Sequence, residues 1–139
     1  MFIAYGRTTR NGKSTLFAAV QAALGHDYCN VVSPKIICEA RNGMGQDYNA
    51  AQPMLAKLVG VRLALMSEAA KDSRLDGAAL KSLTGRDELM TREMYGNPFT
   101  FLPQFTLWLN TNFLPAVNDA SVFASDRMWV IEFDRHFSK

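Results

Sequence analysis

The chain has 139 residues, 48% of them hydrophobic and 20% charged, with a formal net charge of +2. Those proportions suit one globular domain over residues 1–139 with a core of its own, and they exclude a low-complexity chain or a strongly charged tail. No apolar run approaches the roughly 18 residues that cross a bilayer, residues 1–5 lack a secretory leader pattern, and Cys29 and Cys38 lack metal-site spacing, so a reduced cytoplasmic setting without a membrane is expected.

Phe2-Ile3-Ala4-Tyr5 reads as a short apolar strand, followed by Gly6 and a polar turn to Asn11-Gly12-Lys13-Ser14-Thr15. Strand, glycine-containing turn and Gly-Lys-Ser opening a helix is the layout of a phosphate-binding loop. Backbone N–H groups at a helix start lack intrahelical partners and carry partial positive charge, so they receive anions. Gly6, Thr9, Arg10, Asn11, Gly12, Lys13, Ser14 and Thr15 are the candidate nucleotide contacts. Lys13 supplies a full charge for the β- and γ-phosphates, and the Ser14 hydroxyl is a candidate Mg²⁺ ligand. The loop is one residue wider than usual. Five residues separate Gly6 from Gly12 where four are common, and two threonines stand among them.

The first helix is expected from about Ser14 to Leu24, with Leu16, Ala19, Val20, Ala23 and Leu24 on one face and Gly25 at its end. Residues 29–40 hold short apolar pieces suited to a strand. Residues 41–49 read as an exposed, mobile loop, and residues 50–59 as a second helix. Val61 to Glu68 reads as a buried strand ending in a carboxylate. Asp76 to Leu83 reads as a helix with Asp76 as its N-cap and Gly85 beyond it. Residues 88–103 form a predicted hairpin turning at Tyr95-Gly96-Asn97-Pro98. Phe105 to Leu109 and Met128 to Phe133 are further core strands. This alternation predicts a three-layer α/β domain with a largely parallel sheet and an inserted hairpin.

A triphosphatase needs more than a phosphate cradle. Glu68 stands where a catalytic, metal-ordering carboxylate belongs, although the residue before it is Ser67 rather than the aspartate many such enzymes carry. Asn110-Thr111-Asn112 follows the next core strand, at the edge that faces ligand in parallel sheets, and Asn112 is the preferred sensor of the γ-phosphate. Arg127, just before the last strand, is either a surface arginine or a finger offered to a neighbouring subunit.

Three stretches together resemble a family: the loop from Tyr5 to Thr15; Ser67-Glu68 with Leu80-Lys81-Ser82-Leu83-Thr84-Gly85-Arg86-Asp87 and Thr91-Arg92; and Phe99 to Pro103 leading to Leu107-Trp108-Leu109-Asn110-Thr111-Asn112. Their order is similar to the superfamily 3 helicase domain of phage and plasmid primase–helicases, P-loop ATPases related to the AAA+ type. The resemblance covers nearly the whole chain, and its middle motif is more specific than the loop. It implies ATP and Mg²⁺ as cofactors, a homo-oligomeric ring (usually a hexamer) with ATP between subunits, and movement along single-stranded DNA in a bacterial host, from a phage or prophage gene. Lys13, Ser14, Glu68 and Asn112 match the family's nucleotide and catalytic positions, and Arg127 its arginine finger. The resemblance also implies that the hairpin enters a central pore, making Lys81, Arg86, Arg92, Tyr95 and Asn97 candidate DNA contacts. The primase and collar regions of such proteins have no counterpart in these residues. Two other classes fit the loop: a small-molecule or nucleotide kinase, and a nucleotide-binding assembly module without hydrolysis.

Overall fold

The computed structural model describes residues 1–39 and 53–138. Its elements in order are β1 (Phe2–Tyr5), α1 (Lys13–Leu24), β2 (Cys29–Val31), a 3-10 turn at Pro34–Ile37, α2 (Pro53–Ala56), β3 (Leu63–Ser67), β4 (Arg74–Leu75), α3 (Gly77–Thr84), β5 (Leu89–Arg92), β6 (Pro98–Phe101), β7 (Thr106–Thr111), β8 (Ala116–Val117), α4 (Ser121–Ala124) and β9 (Trp129–Glu132). The loop expected over 41–49 and the start of the helix expected over 50–59 lie outside the described residues; α2 covers the middle of that helix.

Five strands form the central sheet in the order β2-β3-β7-β1-β9, each pair parallel. Alternation along the strands divides the core between two faces. Ile3, Ala64, Met66, Leu107 and Leu109 point one way, to Leu80 and Leu83 of α3 and Leu89 of the hairpin. Ala4 and Leu65 point the other way, to Phe17 of α1, with Trp108 packed beside them. Helices therefore cover both faces, and the architecture is the expected three-layer α/β fold. The hairpin is present as well, β5 pairing antiparallel with β6 from Leu89–Phe101 to Arg92–Pro98.

Local chemistry sets several element ends. The Asp76 carboxylate accepts hydrogen bonds from the N–H groups of Ala78 and Ala79, capping α3, and Gly85 follows its last turn. Two readings need correction. In α1, Lys13 and Phe17 are the buried residues, while Leu16 and Leu24 are 41% and 42% exposed. β7 runs on through Asn110 and Thr111, which are buried within the strand rather than following it.

The register aligns the strand ends. Tyr5 lies beside Thr111 and Ser67 beside Asn110. Gly6, Asn112 and Glu68 thus leave the sheet together at its carboxyl edge. The hairpin feeds β7 at the opposite, amino edge, where the Arg62 guanidinium donates to Gln104 Oε1 (2.7 Å).

Candidate functional site

At the carboxyl edge the chain leaves β1 through Gly6 and returns into α1 at Lys13. Gly12 holds φ of +86°, a conformation that suits glycine and turns the loop into the helix. Gly6 is required for a different reason: a Cβ there would collide with the Asn11 amide and come within 2.9 Å of Lys13 Nζ. The extra loop residue is absorbed locally. Arg10 adopts φ of +57°, and the buried Asn11 side chain folds inward to donate from Nδ2 to the Thr8 carbonyl (2.7 Å).

Lys13 is only 5% exposed. Its ammonium donates to Asn112 Oδ1 (2.9 Å) and, at 3.4 Å, to the Gly6 carbonyl. Both partners are neutral, so the charge is solvated by dipoles rather than paired. Burial pulls the lysine below its ordinary value, and the neighbouring Glu68 carboxylate works the other way. A buried cation held by two replaceable acceptors is poised for an anion.

Glu68 follows β3 with φ of +51°, and its N–H donates to the Asn110 carbonyl (2.8 Å), which fixes the carboxylate beside β7. A cavity of about 280 Å³ separates Glu68 from Asn112 and is lined also by Lys71 and Thr111. Carboxylate, amide and ammonium converge there. Lys71, seated over the Phe113 ring at 5.4 Å, is a cation that sequence reasoning missed; its only signal is a place three residues beyond Glu68. Ser14 and Thr15 are exposed at the helix start. The structure therefore brings Lys13, Asn112 and Glu68 together beside the loop.

Arg127 is elsewhere. It precedes β9 at the amino edge, a strand length of roughly 13 Å from the loop. Its guanidinium donates to the Lys81 carbonyl and to Thr84 Oγ1, both at 3.3 Å. Arg86 lines the same cavity as Arg127, at the base of the hairpin. Of the candidate DNA contacts, Arg92, Tyr95 and Asn97 lie on the exposed hairpin, with Met94 at 69% and Tyr95 at 101% exposure. Lys81 lies on α3 instead, its ammonium bound to Asp119 Oδ2 at 2.6 Å with the side chain 43% exposed.

Non-glycine residues with positive φ are Arg10, Glu68, Tyr95 and Asp126 among the described residues. These are a loop residue, the candidate carboxylate, the hairpin tip and the neighbour of Arg127. Such conformations cost about 1–3 kcal/mol each and gather at functional points. Sequence reasoning also missed residues 134–138, which run on from Phe133 along the loop: Phe133 N–H donates to the Tyr5 carbonyl and Phe137 N–H to the Arg10 carbonyl.

The model of DUF5906, described as a family of unknown function, matches residues 4–127. Three viral proteins align with most of the chain and bear the name "Putative helicase". They are 022R of Frog virus 3 (31% identity over 134 residues, 94% of this chain), L207/L206 of Acanthamoeba polyphaga mimivirus (30% over 129 residues, 93%) and 121R of Invertebrate iridescent virus 3 (29% over 131 residues, 91%). The chain spans 13% of the length of each. Among solved structures, the NrS-1 C-terminal region in an A-form apo structure matches with a TM-score of 0.66 and 12% identity, over 96% of this chain and 28% of that one. A second structure of that region, residues 305–718, gives 0.63 and 14%, over 98% and 29%. At these identities the likeness carries the fold alone. No helix among the described residues is long and apolar enough to cross a membrane.

Proposed function

The chain belongs to DUF5906, a family of unknown function, and we propose that it is the ATP-hydrolysing motor domain of a phage- or plasmid-type replicative DNA helicase that moves along single-stranded DNA. The observation that carries this reading is the bond from Lys13 Nζ to Asn112 Oδ1 (2.9 Å). It couples the phosphate lysine to the sensor amide across adjacent parallel strands, with Glu68 at the end of the next strand over.

The N–H groups at the start of α1 bind the β- and γ-phosphates. Lys13 exchanges Asn112 for the γ-phosphate, and the freed amide orients that phosphate or the attacking water. Glu68 positions the water and receives its proton. The exposed Ser14 hydroxyl and Glu68 carboxylate form a hard oxygen set that suits Mg²⁺, which when bound neutralises phosphate charge. The viral relatives bear the name "Putative helicase", which supports a nucleic acid as the partner. Arg127 lies too far from its own loop and serves the loop of a neighbouring copy, which requires a ring, a hexamer in this reading. The exposed hairpin, with Arg92, Tyr95 and Asn97, holds the strand.

The test is ATP hydrolysis with and without single-stranded DNA, at several protein concentrations, beside Lys13→Ala. Turnover that rises with DNA and with concentration, and drops at least about 100-fold in the variant, is expected. Mg²⁺-dependent binding without turnover would identify an assembly module instead. A second reading, a kinase, is favoured by a cavity of about 920 Å³ beside Glu68, lined also by Lys35, Ser67 and Ser73. Transfer of labelled phosphate to an acceptor other than water would establish it.

A further inference from the structure

Residues 133–138 border the phosphate loop from end to end. Phe133 N–H donates to the Tyr5 carbonyl (2.7 Å), His136 Nδ1–H to the Thr9 carbonyl (3.0 Å) and Phe137 N–H to the Arg10 carbonyl (2.9 Å). The last bond fixes the carbonyl of the residue that takes the strained turn at φ +57°. These contacts use the segment's backbone and one ring nitrogen, and they leave the Phe137 side chain on the rim. Its ring edge lies 3.4 Å from where a Cβ on Gly12 would sit, yet the side chain is 60% exposed. One edge is thus fixed against the loop while much of the ring is open.

An exposed phenylalanine held beside an anion cradle has a specific use. A triphosphate seated on the helix start must carry its nucleoside out past the rim of the loop. An aromatic face on that rim offers stacking to a flat ring, and burying it there recovers the cost of its exposure. We infer that Phe137 is the shelf on which the base of the bound nucleotide stacks. The inference rests on the nucleotide-binding reading above and extends it to substrate class. Every base has a π-face, so a stacking shelf discriminates weakly. The substrate class is therefore nucleoside triphosphates of more than one base, rather than ATP alone.

The experiment is calorimetric titration of the full-length protein, with Mg²⁺, against three probes: slowly hydrolysed analogues of ATP and of GTP, and inorganic tripolyphosphate. Phe137→Ala is expected to weaken both nucleotides about tenfold and leave tripolyphosphate unchanged, and Phe137→Trp to keep wild-type affinity. Equal weakening of all three probes would make the ring a prop for the loop and overturn the inference. So would no weakening of any, or a wild-type protein that prefers one base about 100-fold. If the wild type binds none of the probes, or Lys13→Ala binds them unimpaired, the nucleotide reading itself falls and the shelf falls with it. The Phe137 outcomes leave that reading standing.

Discussion

The two edges of the central sheet are built on opposite principles. At the carboxyl edge the polar groups are bonded to one another, with Lys13, Asn11 and Asn110 buried: Lys13 to Asn112 and Gly6, Asn11 to Thr8, Glu68 N–H to Asn110. At the amino edge the hairpin carries Tyr95 and Met94 into solvent, and Arg86 and Arg92 make no ion pair among the described residues. The first edge makes chemical sense within one chain. The second leaves aromatic and basic groups in solvent, a surface that the proposed function assigns to the DNA strand and a neighbouring copy. Under the proposed motor function, the ligand cradle lies in one copy and its trigger in the next.

Arg127 gives the sharpest way to break that division. Its anchors on Lys81 and Thr84 hold it a full strand away from its own loop. Arg127→Ala is expected to lower DNA-stimulated turnover by about 10³-fold or more while ATP binding is kept. Mixing it with Lys13→Ala, itself inactive, is expected to restore part of the activity, since some interfaces then pair an intact loop with an intact arginine. An inactive mixture, with both proteins shown to co-assemble, would place Arg127 outside the active site and remove the argument for shared sites.

The hairpin tests the same contrast more gently. Tyr95 touches so little of its own chain that Tyr95→Ala should leave the thermal midpoint unchanged. Loss of one stacked base lowers single-strand affinity about tenfold, with turnover in the absence of DNA unaffected. Equal single-strand affinity by fluorescence anisotropy would mean that the tip serves another purpose.

How far each edge could be read from sequence follows from what kind of contact builds it. β1 and β3 declare themselves as short apolar runs, because both faces of a covered parallel sheet are buried, and the hairpin declares itself through its turn residues. Lys13 is placed by the Gly-Lys-Ser pattern that opens a helix, and Glu68 and Asn112 by positions just after core strands, which parallel register then aligns. The rotation of α1 was not legible. Leu16, Ala19, Ala23 and Leu24 form an apolar face by spacing, but Lys13 must point into the loop, and its partner four residues on is Phe17. Phe17 then meets the Trp108 ring edge-on, with centroids 5.6 Å apart. Asn110 and Thr111 read as lying just beyond the strand because their side chains are polar. Thr111 satisfies itself instead, exchanging hydrogen bonds between Oγ1 and the Phe113 backbone, and so stays within β7. The segment 134–138 left almost no trace, since it binds the loop chiefly through backbone groups that every sequence supplies.

Lys81 is the exception that limits the comparison, for it is a basic residue near the amino edge already matched within the chain. It joins α3 to the Asp119 turn before α4, where Asp119 also accepts hydrogen bonds from the Ser121 hydroxyl and N–H. The Lys81 ammonium first, then these Ser121 bonds, hold the Asp119 carboxyl down at about 2, against an ordinary 3.8. A carboxyl held down in the folded state binds its proton more weakly there than in the unfolded chain. Its stabilisation is therefore complete above about pH 4 and fades as pH falls toward 2. The pair is partly exposed, so the effect is small and screened by salt. Asp119→Asn should lower the urea midpoint slightly at neutral pH, and the gap from wild type should close between pH 4 and 2. A gap that persists at pH 2 would trace the loss to the neutral hydrogen bonds of Ser121. Lys81 would then be less firmly held than its 2.6 Å contact implies and would rejoin the DNA-facing set.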